Sequence, residues 1–169
     1  MISILTMTEK HWPEVSRIYQ EGIDTGNATF ESAPPAWSCW NEAHMNECRL
    51  IAVDGNEVLG WAALSPVSSR CVYAGIAEIS VYVSNSSKRK GIGRKLLETL
   101  IEESEKAGVW TLNVSVFPEN VVSIKLHESL GFRLIGVKEK VGKMTFGPLK
   151  NVWRDNVLLE KRSSNVGVD

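Results

Sequence analysis

The segment from Ile79 to Leu97 reads ISVYVSNSSKRKGIGRKLL, and it decides the fold. Its first five residues are typical of a strand, and residues 92–106 carry helical periodicity that stops before Gly108. Gly91 and Gly93 stand where the strand turns into the helix. Glycine lets backbone N–H groups approach a bound group closely, and the helix directs its positive end to the same place. The segment therefore predicts a strand–turn–helix unit that cradles a pyrophosphate.

The charge around this turn supports the prediction. Residues 88–95 include five basic residues and no acidic one, whereas the whole chain of 169 residues has 19 basic and 20 acidic residues, a net charge of −1. That balance argues against binding a long nucleic acid through overall charge, while the local cluster suits one polyphosphate. A solvated basic helix start with two ordinary turn glycines is the alternative interpretation.

Two other phosphate-binding motifs do not fit. The dinucleotide fingerprint needs a third glycine where this chain has Leu96, and the GxxxxGK[ST] sequence of nucleotide triphosphatases is absent.

The rest of the chain predicts one α/β domain over residues 1–162 with a mixed sheet and helices packed on it. At this length folding buries roughly 70% of the unfolded surface, so a core forms without disulfide or metal staples. The small, polar segment 163–169 is expected to be a disordered tail. The predicted order is β-α-α-β-β-β-α-β-α-β-β, with strands near 2–7, 49–53, 58–64, 74–83, 110–117, 132–141 and 152–161, and helices after Thr8, from Ala36 towards Cys48, and over 92–106 and 120–130.

The cysteines and histidines indicate neither disulfides nor a metal. Three cysteines form no CxxC pair and three histidines are scattered (Cys39, Cys48, Cys71, His11, His44, His127), so no metal is expected and a reducing cytoplasm fits best. No basic leader precedes an apolar run at the N-terminus, and no apolar stretch approaches about 18 residues, so neither a signal peptide nor a membrane partner is expected.

Residues 88–93, KRKGIG, resemble the signature Gln/Arg-x-x-Gly-x-Gly/Ala of the GNAT family of N-acetyltransferases, with Lys88 in place of the usual Gln or Arg. Residues 120–132, NVVSIKLHESLGF, resemble a second element of the family. The resemblance implies the GNAT fold, a single domain whose mixed sheet is mostly antiparallel and flanked by helices. It also implies acetyl-CoA as cosubstrate, held by Val81, Tyr82, Val83, Lys88, Arg89, Lys90, Gly91, Ile92, Gly93, Arg94, Asn120 and Ser123.

One branch of the family is more similar than the rest. The stretches 70–73 (RCVY), 77–83 (AEISVYV), 126–132 (LHESLGF) and 151–155 (NVWRD) look like those of the phosphinothricin and methionine sulfone or sulfoximine acetyltransferases. This resemblance implies direct transfer of an acetyl group to the amine of a small amino-acid analogue in a ternary complex, by an enzyme that is commonly a homodimer.

The chemistry of such a transfer suggests catalytic residues. An amine attacks only as its neutral form, and Glu78, on the face of its strand opposite the aliphatic residues, is the candidate base. A backbone N–H near Val83 would polarise the thioester carbonyl. His127 stands where the family often has a tyrosine, and is the candidate proton donor to the leaving thiolate. The alternatives are a solvated strand glutamate and a histidine that only packs or caps.

Three further residues are candidates for binding the acceptor. Arg70 and Tyr73 precede Glu78 closely enough to line the same cleft, and a guanidinium suits a carboxylate or phosphinate. Phe30 would cover the other side. The alternatives are a surface arginine and a buried loop anchor. Acetylation of another amine, a polyamine or a protein N-terminus, stays open, and an acidic pocket would favour the polyamine. A coenzyme-binding module without turnover is the rival from another class.

Overall fold

Seven strands form one sheet in the order β1-β2-β3-β4-β5-β7-β6, and every neighbouring pair is antiparallel except β4 and β5. The computed structural model describes all residues from Met1 to Asp169. The strands are β1 (Ile2–Thr6), β2 (Leu50–Asp54), β3 (Glu57–Pro66), β4 (Ile76–Val83), β5 (Thr111–Val116), β6 (Arg133–Lys143) and β7 (Trp153–Arg162). The α-helices are α1 (Trp12–Asp24), α2 (Trp37–Ala43), α3 (Ile92–Lys106) and α4 (Val121–Ser129). The predicted α/β architecture and element order are confirmed.

Both faces of the sheet are covered by apolar packing. On one face α3 buries Ile92, Leu96 and Leu100 in a cluster of 19 residues, because these side chains recur at helical spacing. On the other face α1 buries Val15 and Ile18 in a second cluster of nine residues that includes two tryptophans. No helix is long and apolar enough to cross a membrane.

The parallel pair β4 and β5 separates soon after it begins. Its register has only three residue pairs, the last of which joins Glu78 to Asn113. In contrast, β3 stays paired to β4 as far as Val83, and β5 stays paired to β7 as far as Val116. The two strands are held together at their start, where the amides of Trp110 and Thr111 donate to the carbonyl of Gly75. A wedge therefore opens in the sheet beyond Glu78.

The C-terminal segment, residues 163–169, contacts α3 and the end of β7. The Ser163 hydroxyl donates to Glu105 of α3 at 2.6 Å, and the side-chain amide of Asn165 donates to the same carboxylate at 3.0 Å. The Arg162 guanidinium donates to the carbonyl oxygens of Trp110, Ser163, Val166 and Gly167. A small polar sequence alone does not show that carboxylate and carbonyl partners lie within reach.

Candidate active site

A cavity of about 890 Å³ occupies the wedge between β4 and β5. Its size is within the range of roughly 300–1,000 Å³ that is usual for ligand pockets. Its walls come from the loop after α1, from β4, from the turn before α3, from the end of β5 and from the start of α4. The structure brings these predicted residues together there: Phe30, Glu78, Val81, Tyr82, Val83, Lys88, Arg89, Gly91, Ile92, Gly93, Arg94, Asn120, Ser123 and His127.

The glycine-bearing turn has the geometry of an anion cradle. Gly91 caps α3 with a φ of 76°, and Arg89 has a φ of 64°, so the backbone turns twice through the left-handed region. A Cβ at Gly91 would meet nothing within 4 Å, so the glycine serves the backbone conformation. A Cβ at Gly93 would lie 3.3 Å from Leu126, where α3 approaches α4. The first amides of a helix have no partner within it, so those at 92–94 are available to a phosphate.

Basic side chains surround this cradle, and one predicted member is missing. Lys88, Arg89 and Arg94 line the cavity, whereas Lys90 does not. Arg94 also donates to the Ser129 hydroxyl at 2.7 Å. These residues and the free amides fit the pyrophosphate that the sequence predicts.

A carboxylate of α1, which sequence reasoning missed, holds the segment that leads into this turn. The backbone amide of Asn85 donates to Glu21 Oε2 at 2.6 Å. The same carboxylate pairs with Arg17 one helical turn away. Because 64 residues separate Glu21 from Asn85, no local pattern in the sequence indicates this contact.

Glu78 lies at the point where the sheet opens. It is opposite Ser65 in β3 and Asn113 in β5, and this is the last pair between β4 and β5. Its side chain is exposed and makes no ion pair within the chain. The carboxylate therefore faces the cavity with its lone pairs free to accept a proton or a hydrogen bond.

Tyr82 continues the face of β4 that carries Glu78. Its ring stacks on Trp61 at 4.8 Å and lies 4.8 Å from the ring of Tyr19 in α1. Burial raises the pKa of the Tyr82 phenol well above its usual range, so this hydroxyl is neutral. Tyr82 thus adds a rigid aromatic surface to the cavity wall.

His127 borders the cavity, yet its side chain is 0% exposed. Its Nδ1 donates to the carbonyl of Ser123 at 2.8 Å, which places the proton on Nδ1 and leaves a lone pair on Nε2. Nε2 has no hydrogen-bond partner. Burial lowers the pKa of the imidazole, although the bond to Ser123 opposes this effect. The neutral ring therefore presents an acceptor, so the predicted role as proton donor requires an imidazolium that burial disfavours.

Phe30 both lines the cavity and anchors the loop in which it lies. Its ring lies 4.9 Å from that of Phe117 in an edge-to-face arrangement. A Cβ added at Gly142 of β6 would lie 2.7 Å from the Phe30 ring, so glycine is what lets the ring approach the strand. The sequence leaves two interpretations of Phe30, a wall of the acceptor cleft and a buried loop anchor, and the structure is compatible with both.

The structure does not bring Arg70 and Tyr73 into the cavity. Both are exposed at a short 3-10 turn, Cys71–Tyr73, that precedes β4. The guanidinium of Arg70 lies over the Tyr73 ring at 5.3 Å. The two side chains contact each other, and neither lines the cavity with Glu78.

Arg154 belongs to the stretch 151–155, but sequence reasoning gave it no role of its own. Its side chain lies behind the wall formed by the loop after α1 and donates to Gly26, Asn27 and Glu119. The structure contains no group of three or more His, Cys, Asp and Glu residues that could hold a metal ion.

An opened parallel pair, a glycine turn leading into a helix and a carboxylate at the apex agree with the class that the sequence resemblance implies, the acetyl-CoA-dependent N-acetyltransferases. The comparison with known sequences leads to the same class. Residues 11–132 match the sequence model of the Acetyltransferase (GNAT) family. The chain belongs to this family.

Similar proteins include enzymes that act on amino-acid analogues. The chain is 31% identical to the phosphinothricin N-acetyltransferase of Alcaligenes faecalis over 88% of this chain and 76% of that one. It is 30% identical to the L-methionine sulfoximine/L-methionine sulfone acetyltransferase of Pseudomonas paraeruginosa over 78% of this chain and 80% of that one.

Solved structures have the same fold. A ribosomal-protein-alanine N-acetyltransferase of Brucella melitensis superposes with a TM-score of 0.85 at 28% identity, over 95% of this chain and 99% of that one. A phosphinothricin acetyltransferase of Sinorhizobium meliloti, solved in complex with acetyl-CoA, gives a TM-score of 0.85 at 24% identity, over 99% of this chain and 91% of that one.

Proposed function

We propose that this protein acetylates the α-amine of a small amino-acid analogue such as phosphinothricin, methionine sulfoximine or methionine sulfone. The observation that carries the proposal is the position of Glu78, an unpaired carboxylate at the apex of the cavity that also contains the glycine turn. The names of the two similar enzymes support the choice of acceptor.

The residues of the chain have separate tasks in this reaction. The amides at 92–94, with Lys88 and Arg89, hold the pyrophosphate, and Val81–Val83 hold the pantetheine arm along β4. Acetyl-CoA supplies the activated acyl group as a thioester. Glu78 takes a proton from the acceptor, directly or through one water, so that the amine nitrogen has a lone pair with which to attack.

The unpaired backbone of β4 near Val83 can polarise the carbonyl group of the thioester. β4 has no strand partner on its β5 side beyond Glu78, so an amide N–H near Val83 is available to stabilise the negative charge that develops on the carbonyl oxygen. The amine nitrogen bonds to the acetyl carbon, the carbon–sulfur bond breaks, and the thiolate leaves. His127 can protonate the thiolate only as an imidazolium, and a His127→Asn variant tests that role.

One observation favours a second candidate, the acetylation of a cationic amine or a protein N-terminus. The acceptor end of the cavity carries two carboxylates, Glu78, which has no ion pair, and Glu119, which is paired with Arg154, while Arg70 lies outside it. Carboxylates attract polyamines and repel the carboxylate of an amino acid. The similar structure named as a ribosomal-protein-alanine N-acetyltransferase also points to an N-terminus.

A thiol-release assay with acetyl-CoA separates these candidates. The acceptors are methionine sulfone, phosphinothricin, spermidine and a peptide with N-terminal alanine. Turnover of the first two supports the proposal, and activity confined to spermidine or the peptide overturns the choice of acceptor. Binding of acetyl-CoA without turnover of any acceptor supports the alternative that the protein is a coenzyme-binding module without catalytic activity.

We further propose that the enzyme is a cytoplasmic homodimer. The last two strands and the residue just before β7 expose apolar side chains that a second copy would cover: Leu134, Ile135, Val137, Val152 and Trp153. The three cysteines are unpaired, as in a reducing compartment. Light scattering after size exclusion tests the dimer, and a monomer at micromolar concentration contradicts it.

A further inference from the structure

We propose that Arg154 is a positioning residue that sets the affinity for the acceptor by fixing the loop after α1, without touching the acceptor itself. The inference rests on the proposed function, since it assigns this loop to the acceptor end of the cavity. The inference is based on one buried guanidinium that donates hydrogen bonds to two parts of the cavity wall, the loop after α1 and the segment after β5.

The environment of Arg154 is unusual for a charged side chain. The residue is 3% exposed. Its Nη1 donates to the carbonyl of Gly26 at 2.9 Å, and its Nη2 donates to Asn27 Oδ1 at 2.7 Å and to Glu119 Oε2 at 3.2 Å. Its Nε is buried without a partner. A buried charge is costly unless its bonds are good, so the guanidinium strongly favours the loop position in which these bonds form.

The groups that Arg154 contacts form the wall. Asn27, Phe117 and Glu119 all line the cavity, whereas Arg154 lies behind them. Its guanidinium carbon is 4.0 Å from the centre of the Phe117 ring, a cation–π distance. Phe30, four residues after Gly26, packs against the same Phe117 ring in an edge-to-face arrangement. One arginine of β7 therefore holds the loop after α1 and the segment that follows β5 in one arrangement.

The loop needs such an anchor because it has no regular structure of its own. Residues 25–36 contain no helix or strand, and Gly26 adopts a φ of 70°. Segments of this kind have low local stability and are held by the few contacts that tie them down. Arg154 provides polar contacts to Gly26 and Asn27, and Phe30 provides an apolar contact to Phe117.

Lysine cannot replace Arg154 in this role. The guanidinium is planar, lies over the Phe117 ring and donates in three directions at once, whereas an ammonium is a compact charge on a flexible stem. Arg154→Lys keeps the charge and loses the geometry. It therefore tests positioning separately from charge.

The experiment measures steady-state constants for Arg154→Lys with methionine sulfone and acetyl-CoA. We expect KM for the acceptor to rise about ten-fold or more, with kcat within about three-fold and the dissociation constant for acetyl-CoA within about two-fold. An acceptor KM within about two-fold of that of the unmodified enzyme overturns the inference.

The matched control is Arg49→Lys. Arg49 is another buried arginine, 7% exposed, whose guanidinium caps α2 by donating to the carbonyls of Asn41 and His44 and lies 5.3 Å from the Trp40 ring. It lines no part of the cavity. We expect Arg49→Lys to lose thermal stability while its acceptor KM stays within about two-fold. An equal rise of KM in both variants, at equal loss of stability, overturns the inference.

Hydrogen exchange in the unliganded protein keeps the inference testable if the proposed function fails. In Arg154→Lys, amides of residues 25–31 should exchange about ten-fold faster, while those of α3 should not change. Should that variant fail to fold, Asn27→Ala, which removes one partner of the guanidinium, is expected to show the same pattern. Unchanged exchange over 25–31 contradicts the positioning role, whereas faster exchange in a protein that acetylates no acceptor contradicts only the proposed function.

Discussion

Replacing Glu78 by glutamine removes the proposed base while keeping its shape. The side chain is exposed and has no ion pair within the chain, so no stabilising contact is lost. Its backbone pairs with Ser65 and Asn113 do not involve the carboxylate. We therefore expect a change in the free energy of unfolding of less than about 0.5 kcal/mol, as for ordinary surface substitutions.

The effect on catalysis is expected to be much larger. A positioned general base contributes about 10²–10⁴-fold to the rate, which corresponds to about 2.7–5.5 kcal/mol of activation free energy. The coenzyme cradle begins ten residues after Glu78, at Lys88, so the dissociation constant for acetyl-CoA should not change. The loss should appear in kcat and should diminish at high pH, where the acceptor amine deprotonates without help.

The assay is thiol release at saturating acetyl-CoA, measured as a function of pH for Glu78→Gln and for a control, Glu57→Gln. Glu57 is also an exposed strand glutamate, at the start of β3 and outside the cavity, and its variant should match the unmodified enzyme. The assignment of the base is refuted if Glu78→Gln retains kcat within about three-fold at neutral pH, or if its loss is the same at every pH.

Three other substitutions test the cradle, the buried histidine and the start of the wedge. Gly91→Ala should lower the free energy of unfolding by about 1–2 kcal/mol, because alanine disfavours the φ of 76° that Gly91 adopts, although its Cβ would contact nothing. Calorimetry and acetyl-CoA titration check this prediction, and an unchanged stability contradicts it. Because burial lowers the pKa of His127, the stability it contributes is complete above the usual histidine pKa of about 6.5 and is lost as the pH falls below it. Between about pH 7.5 and 5.5, the urea midpoint of His127→Asn should therefore decrease less than that of the unmodified protein. An equal pH dependence of the midpoint in the two proteins argues against this. Gly75→Ala should lower the free energy of unfolding by about 1–3 kcal/mol, since the Cβ of the new alanine would overlap the Trp110 ring. An unchanged melting temperature would refute this prediction.

Features that depend on neighbouring residues were predictable from the sequence. The alternation in 76–83 and the glycines at 91 and 93 indicate a strand, a turn and a helix, and the structure has all three in place. Phe30 and Glu78 were also identified, and both line the cavity. Arg70 was placed in the same cleft from its distance along the chain, yet a single 3-10 turn directs it to the ring of Tyr73. Short loops redirect side chains in ways that spacing alone does not show.

The sequence alone predicts the order of the elements and the anion cradle, because both depend on periodicity, turn residues and charge within a few positions of one another, while its resemblance to a known family indicates the class of enzyme. Only the tertiary structure decided where the sheet opens, that the His127 ring is enclosed, and that Arg154 reaches Gly26 across 128 residues of chain. The physical reason is that burial and long-range hydrogen bonds arise when distant segments pack together. The proposed acceptor end of the site depends largely on such contacts, whereas most of the proposed coenzyme end lies within one strand–turn–helix unit.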